Sequence, residues 1–338
     1  MFAYSNWAVL TVSFVVVLSL ALSGVALSSV LHLVNAKWRF EVRQIATSLY
    51  ALFPMAFVLL IILLLGGSHT FPWWDGVGTA EAHMPGWYHP KWLIAREVIG
   101  MLFMMGLYSV YIKRQALSER SQADAASYHS IATWIPFLFV LYSTMVAWDF
   151  EMTLVPHWHS AIFGMQQFIS NFGMFLAFLV IWIFALNSRK KLVRPVETYV
   201  YNYIAQMMFA FTLLWIYTFN AQYLTIWYGN IPDETDRLFA MQNGDYTFIW
   251  WSMLVLKFVV PFVTLAFPGP RHNVKAITAV ASCIIIGTLF ERYVWIGGSN
   301  NGVGAYPVVA AIVVSSVVAI IGFFLVRMHM QRTQLIKG

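Results

Sequence analysis

Charged side chains are rare in this 338-residue chain, yet several of them lie inside long apolar segments: Arg96 and Glu97, Lys257, and Glu291 with Arg292. An ionised group in hydrocarbon costs several kcal/mol unless it is paired or hydrated, so such residues mark candidate functional sites. Lys257 lies about ten residues from either end of its apolar segment, or roughly 15 Å along a helix. We therefore predict that it faces a bundle interior or a wet cavity.

Uncharged polar side chains concentrate near the same predicted membrane face as these charges. Asp149 ends one apolar segment and Glu151 follows it, while two further segments contribute amides, hydroxyls and an indole: Gln166, Gln167, Ser170, Asn171, Asn220, Gln222, Tyr223 and Trp227. Hydrogen-bonding and titratable groups enclosed by apolar walls suit a quinone head group or a proton path. The polar set therefore indicates either a quinone site or a proton path.

Two structural alternatives stand beside the functional interpretation. Arg96 with Glu97, and Glu291 with Arg292, lie near predicted helix ends, where paired or snorkelling side chains anchor helices. The Asn, Gln and Tyr side chains could equally hydrogen-bond one helix to another. Lys257 is the residue that these alternatives explain least well, because it lies deepest.

Histidine and cysteine usage argues against a cofactor bound covalently by this chain. Cys283 is the only cysteine, so neither a cysteine-ligated iron–sulfur cluster nor a haem-attachment motif can be built. Only His32 falls well within a predicted span, which disfavours bis-histidine haem. The remaining outer histidines, which include a Pro156–His159 cluster, do not make a metal site the favoured expectation: His69, His83, His89, His157 and His159.

The composition identifies the environment in which these residues must be positioned. The chain is 60% hydrophobic and 10% charged, against roughly 25% charged residues in soluble proteins. Apolar segments long enough to cross the bilayer as helices number about nine. We predict an all-α, polytopic transmembrane bundle forming one domain over residues 1–338, with helices near 6–34, 44–66, 92–112, 130–149, 159–187, 199–227, 247–267, 276–296 and 306–327.

The distribution of basic residues predicts the orientation of the bundle. Most of the 20 Lys and Arg residues follow odd-numbered helices, and positive connections stay in the cytoplasm. The N-terminus is therefore predicted outside and the C-terminus inside. Because the net charge of +6 is spread over short connections, nucleic acid is not an expected partner. The outer connections, near 67–91 and 228–246, are predicted to form a platform for a periplasmic partner.

Two long motifs resemble a known family. The stretch from Trp148 to Gly164 (WDFEMTLVPHWHSAIFG) and that from Gln222 to Thr235 (QYLTIWYGNIPDET) resemble the NrfD-like, polysulfide-reductase-type membrane subunits. The resemblance extends over about residues 30–296 and is strongest to the second such subunit of alternative complex III, a bacterial quinol:cytochrome c oxidoreductase. The family pattern has an acidic residue where Val155 stands, and Glu151 is the hypothesised substitute.

The resemblance implies a multi-pass subunit of the bacterial inner membrane within a respiratory or photosynthetic electron-transfer complex. Its implied partners are a sister NrfD-like subunit, a periplasmic iron–sulfur subunit and cytochrome c subunits, together with membrane lipid. Iron–sulfur clusters and haem c would reside on those partners, and quinol is the possible ligand here. In the family the sister subunit is the clearer quinol site, and this subunit is more suited to proton conduction.

The leading hypothesis assigns roles to named residues within such a complex. Asp149, Lys257 and Glu291 are expected to move protons, and the outer or quinone-binding site is expected to contain His157, Gln222, Tyr223, Trp227 and Glu234. A second hypothesis is a non-catalytic scaffold for periplasmic redox subunits. A third, a solute transporter, predicts inverted repeats and broken helices, and no repeat is evident.

Overall fold

The computed structural model describes residues 4–76, 86–243, 245–298 and 308–337. Of these described residues, 83% are helical, which confirms the predicted all-α bundle. Nine helices in the described residues are long and apolar enough to cross a membrane. They are α1 (Trp7–Leu33), α2 (Arg39–Leu65), α3 (Pro90–Leu117), α4 (Gln122–Met152), α5 (Phe163–Ser188), α6 (Thr198–Gly229), α7 (Thr247–Leu265), α8 (Val274–Gly297) and α9 (Val308–Arg332).

Several helices extend beyond the apolar segments that predicted them. Helix α4 begins at Gln122 rather than near 130, and the hydroxyl of Ser121 caps it by accepting from the backbone N–H of Asp124 at 3.1 Å. Hydropathy marks only the part of a helix that suits hydrocarbon, whereas the backbone hydrogen bonds continue into the polar interface. The extension places His129 within α4.

His129 meets the histidine that the sequence had placed alone in a membrane span. The two ring nitrogens of His32 on α1 and His129 on α4 lie 3.3 Å apart, at hydrogen-bonding distance. The His32 ring also packs on Tyr128, with ring centroids 4.3 Å apart. The expectation that His32 was the only histidine well inside a span was therefore wrong, because the start of α4 was placed too late.

Helix α1 lies at the centre of the bundle. It packs against α2, α4, α5, α8 and α9, and apolar side chains occupy most of its circumference, as expected for a helix surrounded by protein. Gly24 allows α1 to approach α2 closely, because a Cβ atom there would lie 2.1 Å from the carbonyl oxygen of Ala46. Helix α9 is peripheral and leaves most of its side chains exposed.

The apolar interior is divided into a large cluster around α1 and a smaller aromatic cluster. The aromatic cluster lies at the end of the bundle predicted to be outer, where Trp158, Trp215, Trp250 and Trp295 are all almost fully buried. A 12-residue loop helix, Pro232–Asn243, packs against this cluster through Leu238 and Met241. The buried charged residues lie next to the aromatic cluster.

Candidate functional site

Two π-turns interrupt the membrane helices at the positions of the predicted acidic and basic residues. In α4 the N–H of Thr153 bonds to the carbonyl of Trp148 at 2.9 Å, which closes a π-turn over Trp148–Met152 containing Asp149 and Glu151. In α7 the turn Val255–Val259 contains Lys257. Single π-turns of this kind occur frequently at functional sites.

The local sequence explains the π-turn in α7. Pro261 has no N–H to donate to the carbonyl of Lys257, four residues before it, and its ring crowds that carbonyl. The helix instead forms a wider turn, in which the N–H of Val260 bonds to the carbonyl of Val255. The widened turn directs Lys257 toward α5, α6 and α8.

Lys257 is enclosed by polar partners from three other helices. Its ammonium donates to the hydroxyl of Ser170 on α5 at 2.6 Å and to the carboxylate of Glu291 on α8. The same ammonium lies 4.5 Å from the ring centre of Trp215 on α6, at cation–π distance. Only 5% of Lys257 is exposed, so the prediction that it faces the bundle interior is confirmed.

Glu291 is the junction of the cluster. Its Oε1 accepts from the indole N–H of Trp215 at 2.8 Å, and its Oε2 accepts from Ser170 and Lys257. Arg292 Nη2 lies 3.0 Å from the same Oε2. Glu291 is completely buried, and four donors hold its carboxylate in one orientation.

Arg292 connects Glu291 to the π-turn of α4. Its Nη1 lies 2.6 Å and 2.7 Å from the two carboxylate oxygens of Glu151, and both residues are completely buried. Snorkelling toward the membrane surface is therefore excluded for Glu291 and Arg292. The result is a continuous line of charged groups from Lys257 through Glu291 and Arg292 to Glu151.

Arg237 covers the Glu151 end of this line, although it belongs to the loop helix. Its Nη2 donates to the backbone carbonyls of Glu151 at 2.8 Å and Trp295 at 3.2 Å. Its guanidinium lies over the rings of Trp158 and Trp295, 4.3 Å and 5.0 Å from their centres. The sequence predicts Arg237 in the outer connection near 228–246. In the structure its side chain lies between the loop helix and the bundle and is only 4% exposed.

A second ion pair surrounds Asp149. Arg96 on α3 binds the Asp149 carboxylate through Nε and Nη2, both at 2.6 Å, and the indole N–H of Trp87 donates to the same carboxylate at 2.6 Å. Glu97 is completely buried beside Arg96, interacts with Asp149, and accepts a hydrogen bond from Tyr142 at 3.4 Å. Two neighbouring carboxyl groups, one of which is bound by a guanidinium, can hold or pass a proton.

The structure groups some of the predicted site residues and separates others. Lys257 and Glu291 are in direct contact, and Asp149 lies two residues from Glu151 on the same π-turn. The five residues predicted for the outer site differ in exposure. Gln222 is buried, Glu234 is half-buried, and Trp227 and His157 are exposed. The Tyr223 hydroxyl donates to the side chain of Gln242 at 3.2 Å. Tyr223 and Trp227 line a space of only about 10 Å³. Such a space is far below the 300–1,000 Å³ typical of ligand pockets.

Buried amides near the charged line lack partners within the protein. The side chains of Gln166, Gln167 and Gln222 have no hydrogen-bond partner among the described protein atoms. They therefore do not join helices to one another, as the structural alternative had proposed. Buried amides of this kind are normally satisfied by internal water. A space of about 10 Å³ beside Lys257 and Ser170 is near the minimum that holds one water molecule.

A larger cavity opens beside the second ion pair. It has a volume of about 480 Å³ between α3 and α4, and Arg96 and Tyr142 contribute to its lining together with apolar side chains such as Ala95, Ile99 and Leu141. Its size is that of a typical ligand pocket with apolar walls and few polar groups. The sequence interpretation had placed the quinone site around α6 instead.

Gly287 and Ser170 are the site residues that the sequence interpretation undervalued. A Cβ atom at Gly287 would lie 2.7 Å from Lys257 Cγ, so the glycine leaves room for the lysine side chain. The available signal was the four-residue spacing between Gly287 and Glu291, which places them on one face of α8. Among the described residues, no group of three or more His, Cys, Asp or Glu side chains is placed to hold a metal, and His83 lies outside those residues.

The helices and the buried ionic network define a class, the multi-pass α-helical membrane proteins. Comparison with known proteins adds no closer relationship, since no family model and no curated protein matches the chain. Functional inference therefore rests on the geometry of the network and on the sequence motifs.

Proposed function

We propose that this chain is an integral membrane subunit of a quinol-oxidising electron-transfer complex in the bacterial inner membrane, similar to alternative complex III. Within it, the line Lys257–Glu291–Arg292–Glu151 is a proton path, and Asp149 with Glu97 forms its outer end. The redox centres, iron–sulfur clusters and haem c, belong to partner subunits. The observation that carries the proposal is this continuous buried line of charges between the π-turns of α7 and α4.

The energetic argument favours a functional role over a purely structural one. Each ion in the line has lost its hydration, at a penalty of several kcal/mol, and a well-packed apolar replacement of a buried ion pair is often as stable or more stable. Stability alone therefore does not require these ions. Neighbouring groups that can accept and release protons do require them, and the unpartnered glutamine amides provide places for connecting water.

The cavity beside Arg96 supports a contact with quinol at the outer end of the path. The cavity presents almost only apolar surface, so a quinol there would lie against apolar walls beside Arg96 and Tyr142, and its tail would leave between α3 and α4 toward lipid. Protons released on oxidation would then arise next to Asp149 and Glu97. This placement replaces the earlier assignment around His157 and Glu234.

The test is the activity of the purified complex with altered network residues. Lys257→Met combined with Glu291→Gln removes both charges and keeps the interior neutral, and Asp149→Asn probes the outer end. Glu119→Gln is the matched control, since Glu119 pairs with Arg43 at 2.8 Å on the surface and is 74% exposed. The proposal expects reduced quinol oxidation or reduced proton coupling in the network variants only. Wild-type turnover and coupling in an assembled complex would refute it.

The second candidate function is a scaffold for periplasmic redox subunits. It is supported by the loop helix Pro232–Asn243, which Arg237 fixes to the bundle and which exposes Asp233 and Asp236. The scaffold hypothesis predicts that charge removal on this helix blocks assembly and that the neutral double variant of Lys257 and Glu291 keeps full turnover.

A further inference from the structure

Four basic residues line a cavity at the end of the bundle opposite the ionic network. Arg189 and Lys191 follow α5, Arg327 lies in the last turns of α9, and Lys337 lies in the C-terminal tail. The cavity has a volume of about 110 Å³. None of the ion pairs found within the described residues involves these four side chains. Within the part of the chain that the structure describes, no neighbouring carboxylate therefore neutralises their positive charge.

Backbone pairing fixes this basic cavity in place. The tail runs antiparallel to the segment after α5: Lys337 N–H donates to the carbonyl of Lys191 at 2.7 Å, and Val193 N–H donates to that of Leu335 at 3.1 Å. Leu192 and Ile336 are buried beneath the pairing. Backbone hydrogen bonds between the two segments therefore hold Lys191 and Lys337 close together.

A long apolar cavity adjoins the basic one. It lies between α9 and helices α1, α2, α5 and α8, has a volume of about 580 Å³, and is lined by side chains such as Val16, Leu20, Leu289 and Ala319. Trp182 and Phe323 line both cavities and their rings pack edge to face with centroids 5.7 Å apart, so the two spaces adjoin across these side chains. The basic cavity therefore adjoins an apolar channel that lies beneath the peripheral helix α9.

We infer that an anionic phospholipid occupies the two adjoining cavities, with its phosphate among Arg189, Lys191, Arg327 and Lys337 and one acyl chain beneath α9. Basic cavities between helix ends attract anionic head groups, and an acyl chain is slender and flexible enough to enter a cavity that would exclude a helix. A zwitterionic lipid satisfies the apolar channel without neutralising the cations. A free phosphate ion neutralises the cations without filling the channel.

The experiment compares lipid probes and variants on the purified full-length chain after delipidation. Thermal unfolding is followed during titration with dioleoyl phosphatidylglycerol, dioleoyl phosphatidylcholine or inorganic phosphate, and native mass spectrometry counts the retained lipid. The charge variant is Arg189→Gln with Arg327→Gln. Its control is Arg194→Gln with Arg332→Gln, which changes the same charge in the same two segments at exposed residues outside the cavity.

The expected result is one tightly held phosphatidylglycerol and an increase of the unfolding midpoint that phosphatidylcholine and phosphate do not reproduce. The charge variant should bind this lipid roughly 30-fold more weakly, because each basic residue near an anionic head group contributes about a fivefold factor. The control should bind normally. Equal effects of the three probes, or equal losses in variant and control, would overturn the inference.

The apolar half of the site has its own pair of variants. Ala319→Phe places a ring in the channel and should reduce retention of phosphatidylglycerol, whereas Val317→Phe alters an exposed residue of the same helix outside the channel and should not. If Ala319→Phe prevents folding, Ser316→Phe fills the same space from the preceding turn. Unchanged lipid retention in a folded channel variant would contradict the placement of the acyl chain.

Discussion

Lys257 on α7 and Glu291 on α8 form a buried ion pair, and the hydroxyl of Ser170 on α5 is hydrogen-bonded to both. Three helices therefore converge on one buried ionic cluster inside the membrane span. Arg292 extends it to Glu151 on α4, so a fourth helix contributes.

Removing one partner of the central pair should destabilise the protein more than removing both. Lys257→Met leaves Glu291 buried without its ammonium partner, and the expected loss is about 3–5 kcal/mol of unfolding free energy. Lys257→Met combined with Glu291→Gln should recover much of that loss. Chemical unfolding in detergent measures both, with Lys275→Met at an exposed site as control. A double variant less stable than the single one would contradict the pairing.

The space left by Gly287 should be needed for the position of Lys257. Gly287→Ala places a methyl group against Lys257 Cγ and the backbone of α7, and overpacking of this kind costs about 1–3 kcal/mol. Gly173→Ala is the matched control, because its Cβ would lie 3.6 Å from Phe211 Cβ, an ordinary contact. The unfolding free energies of the two variants should differ accordingly. Equal stability would show that α7 and α8 can separate without penalty.

Arg237 should hold the loop helix against the Glu151 end of the network. Arg237→Met removes the donors to the carbonyls of Glu151 and Trp295, so the amides of Pro232–Asn243 should exchange hydrogen faster. Hydrogen–deuterium exchange with peptide resolution measures this change. Asp236→Asn on the exposed side of the same helix is the control and should exchange at the wild-type rate. Unaltered protection in Arg237→Met would contradict the anchoring role.

Much of the architecture could be predicted from sequence, because hydropathy reports depth in the membrane. The nine spans and the interior position of Lys257 follow from it. Hydropathy does not report which side of a helix faces a partner. The pairing of Arg292 with Glu151, 141 residues apart, was therefore invisible, and paired and snorkelling side chains near a helix end look alike in sequence.

The outer site was the weakest part of the sequence interpretation for a related reason. The sequence interpretation grouped residues at similar membrane depth, such as His157 and Gln222. In the structure His157 is exposed and Gln222 is buried, so the two do not share one site. The sequence predicts Arg237 only as part of an outer connection, because its burial depends on Trp158 and Trp295, which are distant in sequence. Such contacts arise only when the helices assemble.

The cavity between α3 and α4 should accept quinol if the proposed function is right. Ala95→Phe fills part of that cavity and should raise the KM for quinol by about tenfold or more, with a smaller effect on kcat, because it obstructs binding and leaves Asp149 in place. Ile94→Phe is the control, since Ile94 is exposed and does not line the cavity. Steady-state kinetics of the complex provide the comparison, and identical KM values would remove quinol from this cavity.

The most direct test of the proton path is the number of protons translocated per electron by the complex in sealed vesicles. The measurement compares wild type, Glu119→Gln, and the neutral double variant Lys257→Met with Glu291→Gln, each at equal assembly. The double variant is expected to lose proton translocation, or to lose quinol oxidation with it, while Glu119→Gln matches wild type. Full translocation and full turnover in the double variant would exclude a proton path through Lys257 and Glu291.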